Sequence, residues 1–154
     1  MAELVDAKEL HPIGGSRREP VPNPRRFYAT TPCAAWLDNI NRNNPASPDG
    51  LEESPRLQLF GILKTFINRG EMRLDREFHP MRPGEKNIWE ITTAELRIFG
   101  FFSEMDEFIA VVADYKSRII TYSLYPTYRQ MVENFRSAHQ VNYVRQNGVA
   151  YVLS

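Results

Sequence analysis

Cysteine is almost missing: Cys33 stands alone in 154 residues, so no internal disulfide can form. A chain without disulfides fits a reducing compartment, and the expectation is a cytoplasmic protein. No Cys/His spacing suits a structural zinc site. Long apolar runs are absent as well, none approaching the roughly 18 residues that span a bilayer. The opening MAELVDAKEL carries acids and no apolar stretch, so it does not read as a secretory signal. Excess charge is the last absence: 19 Lys plus Arg offset 19 Asp plus Glu. Nucleic-acid binders are usually basic, so any such binding here must come from a local patch.

The composition that is present, 42% apolar and 25% charged, is that of a globular domain with one real core. Residues 1–26 stand apart. HPIGGSRREPVPNPRR holds four prolines and two glycines without an apolar period, which predicts a disordered tail. MAELVDA followed by VPNP also resembles the translation of a leucine tRNA gene, its D-arm and then its T-arm. On that likeness, either the true start lies later or the gene has fused to a tRNA locus.

RRFYAT, residues 25–30, predicts a short strand. Thr31-Pro32 supplies a cap and a first-turn proline, and Cys33, Trp36, Leu37 and Ile40 follow at helical spacing. NRNNPASPDG reads as a loop. Ser54-Pro55 opens a second helix with a stripe of Leu59, Ile62, Leu63, Phe66 and Ile67, and Gly70 suits its end. Residues 76–87 read as a polar connection. Strands are predicted at 88–92, 95–102 and 107–115, with IITY at 119–122 extending the sheet. Their short links favour an antiparallel meander. Pro126 opens a third helix carrying Tyr128, Met131, Val132 and Phe135, and the Asn147-Gly148 turn predicts a hairpin over residues 142–153. The order β-α-α-β-β-β-α predicts an α+β domain: a small twisted antiparallel sheet packed on two N-terminal helices, with a C-terminal helix and a terminal hairpin.

This order carries Trp89-Glu90-Ile91, then Leu96-Arg97-Ile98-Phe99, then an apolar strand ending in Tyr115-Lys116. In that arrangement residues 27–136 resemble the RelE/HigB/ParE superfamily of bacterial toxins, closest to its phage-derived, HigB-like branch. Residues 137–154 would be a C-terminal extension. The resemblance implies a toxin of a type II toxin–antitoxin system that cleaves mRNA on the ribosome, without metal or cofactor, by attack of the ribose 2′-OH on the adjacent phosphate. Its partners would be a helix-turn-helix antitoxin, the ribosome and mRNA, with no membrane. Fixed cations must then meet the phosphoryl oxygens, and arginine suits this through its planar fork. By match, Arg97, Lys116 and Arg118 take the catalytic places. His79, Arg82, Lys86, Phe99, Tyr115 and Tyr122 take RNA-binding ones.

Strand alternation sets Arg97 on one face with Phe99 and Phe101. That face is either the wall of a substrate groove or a sheet face on which Arg97 pairs with Glu90 or Asp114. The chain also departs from the family pattern: Thr92 stands where it has arginine, Leu96 where it has tyrosine and Gly100 where it has an aromatic residue. Residues 51–136 hold 12 Lys/Arg against 13 Asp/Glu, whereas the toxins are usually basic. Two other functions are compatible with these residues. One is a non-enzymatic phage or prophage protein that binds and inhibits a host protein. The other is a virion or assembly component.

Overall fold

The computed structural model describes residues 1–14, 21–81 and 86–154. Its elements are α1 (Ala2–Asp6), β1 (Leu10–Pro12), β2 (Arg26–Thr30), α2 (Thr31–Asn43), α3 (Pro55–Ile67), β3 (Phe78–Pro80), β4 (Trp89–Thr92), β5 (Leu96–Glu104), β6 (Glu107–Tyr115), α4 (Lys116–Thr121) and α5 (Tyr125–His139). A single-turn 3₁₀ helix follows at Val149–Tyr151. The class is α+β.

The helix starts follow the sequence. Thr30 is the N-cap of α2 with Pro32 in its first turn, and Ser54 caps α3 by accepting from the Leu57 N–H. The end of α3 falls at Asn68, short of Gly70.

The six strands form one sheet in the order β1-β2-β6-β5-β4-β3. The expected pairing of residues 25–30 into the sheet is present, but β2 runs parallel to β6, with Phe27 opposite Phe108. β4, β5 and β6 do pair as the expected antiparallel meander, and the parallel β2 makes the sheet as a whole mixed, not wholly antiparallel. The parallel pair follows from the crossover: α2 and α3 carry the chain from one end of the sheet to the other before the meander begins. Helices cover both faces. Phe27, Ile98, Phe102 and Phe108 pack with Leu37, Leu59 and Phe66 of α2 and α3. Phe99, Phe101, Ile109 and Val111 pack with Ile119 of α4 and Val132 of α5.

Four expectations are corrected. Residues 1–26 are not a tail in their described part. Leu10 is 1% exposed, β1 pairs with β2 through Leu10 opposite Thr30, and Leu4 and Val5 of α1 pack on the same cluster. One buried leucine per short strand leaves no apolar period to read. Second, residues 119–122 do not extend the sheet: Ile119 is buried in α4 while Ile120 is exposed. Third, the polar connection contains β3, whose Phe78 is 1% exposed. Fourth, residues 142–153 form no hairpin. Their backbone bonds go elsewhere, Val144 N–H to Phe102 O at 2.9 Å and Asp106 N–H to Val152 O at 2.8 Å. Buried Arg25 anchors the same region, donating to Asp106 at 3.1 Å and to the carbonyls of Gly70 and Ser154, each at 3.0 Å.

Leu10→Ala should consequently behave as a core truncation and lower the unfolding free energy by about 2–5 kcal/mol in urea titrations. A loss under about 0.5 kcal/mol, the scale of surface substitutions, would restore the tail.

Candidate functional site

Antiparallel pairing sets His79 of β3 opposite Glu90 of β4, Glu90 opposite Phe99 of β5, and Arg97 opposite Asp114 of β6. Directly opposed residues project to the same side of a sheet, as do residues two apart on one strand. His79, Glu90, Arg97 and Asp114 thus form one row on the face covered by α5.

Glu90 is 3% exposed and Asp114 4% exposed, so both carboxylates need partners. His79 Nε2 lies 2.9 Å from Glu90 Oε2. Arg97 Nε stands 3.1 Å from Glu90 Oε1, an ion pair without hydrogen-bond alignment. Arg97 Nη1 donates to the carbonyls of Thr93 at 2.6 Å and Leu96 at 2.8 Å. Asp114 Oδ2 accepts from Arg118 Nε at 3.0 Å and from the Tyr128 hydroxyl at 2.6 Å. Burial, reinforced by the Asp114 carboxylate, pushes the Tyr128 phenol up to about 12. Burial also raises the Tyr125 phenol, with the Glu90 charge adding to it and Arg97 opposing. With Arg118 reaching in from α4, two guanidiniums stand against the row's two carboxylates. A phosphoryl oxyanion would have to displace Glu90 from Arg97, and Asp114 from Arg118.

The other residues named by the resemblance are dispersed. Lys116 is exposed at the start of α4. Phe99 is fully buried, its ring 5.8 Å from that of Tyr125 and 5.6 Å from that of Tyr128, so it has no face to offer a base. The groove wall expected along Arg97, Phe99 and Phe101 is a closed core, because α5 lies on it. Tyr115 projects to the opposite face and packs against Trp36 at 5.7 Å. Tyr122 is 64% exposed, with the Arg118 guanidinium 5.2 Å from its ring centre. Lys86 Nζ lies 3.8 Å from Glu133. Arg82 lies outside the described residues.

Thr92 and Gly100, two of the departures from the toxin pattern, have local reasons. Thr92 Oγ1 donates to Arg76 O, tying β4 to the turn before β3. Gly100 sits where β5 and β6 close on each other. Glu95, buried under α3, accepts from Ser47 Oγ, Asp49 N–H and Gln58 Nε2. Burial opposes its charge, and these donors outweigh that and hold its carboxyl below the usual range.

Sequence reasoning gave no place to the outer face of α3. Phe60 and Gly61 lie three and four residues after Leu57, and Lys64 lies four and three residues after them, so the four share one side. Leu57 is 55% and Phe60 64% exposed, and Lys64 Nζ lies 5.9 Å from the Phe60 ring centre. A Cβ built on Gly61 would meet nothing within 4 Å. Leu59, Ile62 and Phe66 on the other side are core. Such a helix, apolar on both sides, ordinarily has both sides covered. The signal was legible as PRLQLFGILKTFI, in which apolar residues occur too densely for one stripe.

No protein-family model matches the chain, and neither a curated protein nor a solved structure matches it.

Proposed function

We propose that this chain is a non-enzymatic binding protein on a toxin-like scaffold, which inhibits a host protein by docking through the outer face of α3. The exposed Leu57–Phe60–Gly61 stripe carries the reading. Contiguous exposed apolar side chains mark protein contacts, and aromatic residues supply much of the binding energy at such contacts. Gly61 lets a partner approach the α3 backbone closely. The scaffold itself stays neutral between cutting RNA and binding protein.

Induced expression should slow bacterial growth while leaving mRNA intact on ribosomes, and Phe60→Asp should relieve the inhibition. Once a target is isolated, Phe60→Asp should weaken binding about 30-fold, the scale of a lost hot-spot aromatic residue. Its unfolding free energy should stay within about 0.5 kcal/mol of the parent, because the side chain faces solvent. Inhibition unchanged by Phe60→Asp in a folded protein would overturn the docking face.

The endonuclease reading keeps one observation of its own: Arg97 stands opposite Asp114, which accepts from Arg118. Cleavage of mRNA by the purified chain on ribosomes would install it in place of the binding reading.

A further inference from the structure

Three arginines are largely buried among the described residues. Two of them meet carboxylates: Arg25 meets Asp106 at 3.1 Å and Arg97 meets Glu90 at 3.1 Å. Arg136 of α5, 8% exposed, has no carboxylate within salt-bridge distance among the described residues. Its Nη2 donates to Lys86 O at 2.8 Å and its Nη1 to Asn87 O at 3.4 Å. Its guanidinium lies 4.0 Å from the ring centre of Tyr143 and 5.5 Å from that of Phe101. Carbonyls and ring faces solvate a buried cation in part but do not neutralise it.

The surroundings add positive charge. Arg145 stacks on the same tyrosine, its guanidinium 5.1 Å from the ring centre. Burial lowers the Arg136 pKa, and the neighbouring Arg145 lowers it further, while Glu133 and Tyr143 oppose this. These groups line an open cleft of about 540 Å³, whose wall also holds Lys86, Gln140 and Asn142. Among the described residues Glu133 is the acid in that wall, and it stands 3.8 Å from Lys86 Nζ. The rim is fixed. Asn87 Nδ2 donates to Arg145 O at 3.2 Å and to Asn147 Oδ1 at 3.0 Å, and the Val144 N–H is bonded to the end of β5. The carbonyls at the end of α5 disfavour an anion beside them, but the Val141 N–H covers Arg136 O at 3.1 Å.

We infer that the cleft between the end of α5 and the segment after it is an anion site, in which Arg136, Arg145 and Lys86 hold the phosphate of a small phosphate monoester. The forked guanidiniums match a tetrahedral oxyanion, and Lys86 adds a point charge. The cleft is larger than a phosphate, and its amide-bearing wall suits the hydroxyls of the attached group. The site lies on the face of the sheet opposite α3, so it stands apart from the docking reading.

The test is calorimetric titration of the full chain with inorganic phosphate and with ribose 5-phosphate, at ionic strength matched with chloride. Both should bind saturably, ribose 5-phosphate more tightly. Arg145→Glu, an exposed change that leaves the fold intact by circular dichroism, should weaken both by at least about tenfold, the scale of one charge-assisted contact. Arg136→Lys, which keeps the charge and loses the fork, should also weaken both. Absence of saturable binding at millimolar probe, or equal affinity in the parent and Arg145→Glu, would overturn the site. Equal affinity for the two probes would overturn the monoester assignment.

Discussion

Gly100→Ala should cost about 4 kcal/mol or more in unfolding free energy, a large part of what a domain holds. A Cβ at this position would stand 1.9 Å from Ile109 O, 2.8 Å from Ile109 C and 2.8 Å from Phe108 Cζ. A ring edge can shift, but the Ile109 carbonyl belongs to the neighbouring strand. The register explains the closeness: Phe99 faces Val112 while Gly100 faces Ala110, so Val111 is an extra residue that bulges β6 toward β5. The bulge is held on its far side, where Thr30 Oγ1 donates to Val111 O at 3.0 Å. Relieving the clash therefore means moving β6, with β2 attached, at the centre of the sheet. Urea titration of Gly100→Ala is the measurement. A loss under about 1 kcal/mol would show that the strands separate freely at this point.

The same position shows what the sequence could and could not convey. Gly100 was visible as a departure from the toxin pattern, but its cause lies in β6, which no local pattern names. The elements that were legible carried their own signals. Ser-Pro and Thr-Pro starts with a helical apolar period marked α2 and α3, and dense apolar runs marked β5 and β6. Those that were missed carry almost none. β1 and β3 are three residues each, with Leu10 or Phe78 as the buried member. They exist because a longer strand lies beside them. In α4, buried Ile119 next to exposed Ile120 fits the alternation of a strand as well as a short helix. The direction of β2 was hidden for a related reason, since its partner β6 is about eighty residues away.

The site divides in the same manner. Strand alternation correctly grouped Arg97 with Phe99 and Phe101, and Glu90 was among the partners it allowed for the arginine. What covers that face was not legible, because α5 reaches it only through tertiary packing. With α5 in place, Phe99 lies between two tyrosines and the pair Arg97–Glu90 is enclosed, not solvated. Burial changes the meaning of the pair: a surface ion pair contributes little, whereas a buried one is costly to break.

Glu90→Ala should accordingly destabilise the fold by about 3–5 kcal/mol, since it leaves an enclosed guanidinium facing no carboxylate of its own. Arg97 Nη1 would keep its bonds to Thr93 O and Leu96 O, which hold the cation in place and prevent it from swinging into water. His79 loses a partner too, but at 32% side-chain exposure it can rehydrate, so the arginine sets most of the cost. Asp114, directly across β5 and β6, is already committed to Arg118 and Tyr128. The double substitution Glu90→Leu with Arg97→Met should recover most of the loss, because it removes the stranded charge together with its partner. Urea unfolding of the parent, Glu90→Ala and the double variant measures this directly. A double variant as unstable as Glu90→Ala would mean that shape, not charge, holds β4 against β5. A Glu90→Ala loss below about 1 kcal/mol would mean that Arg97 is free to leave the carboxylate, and the cation would then be available to a phosphate after all.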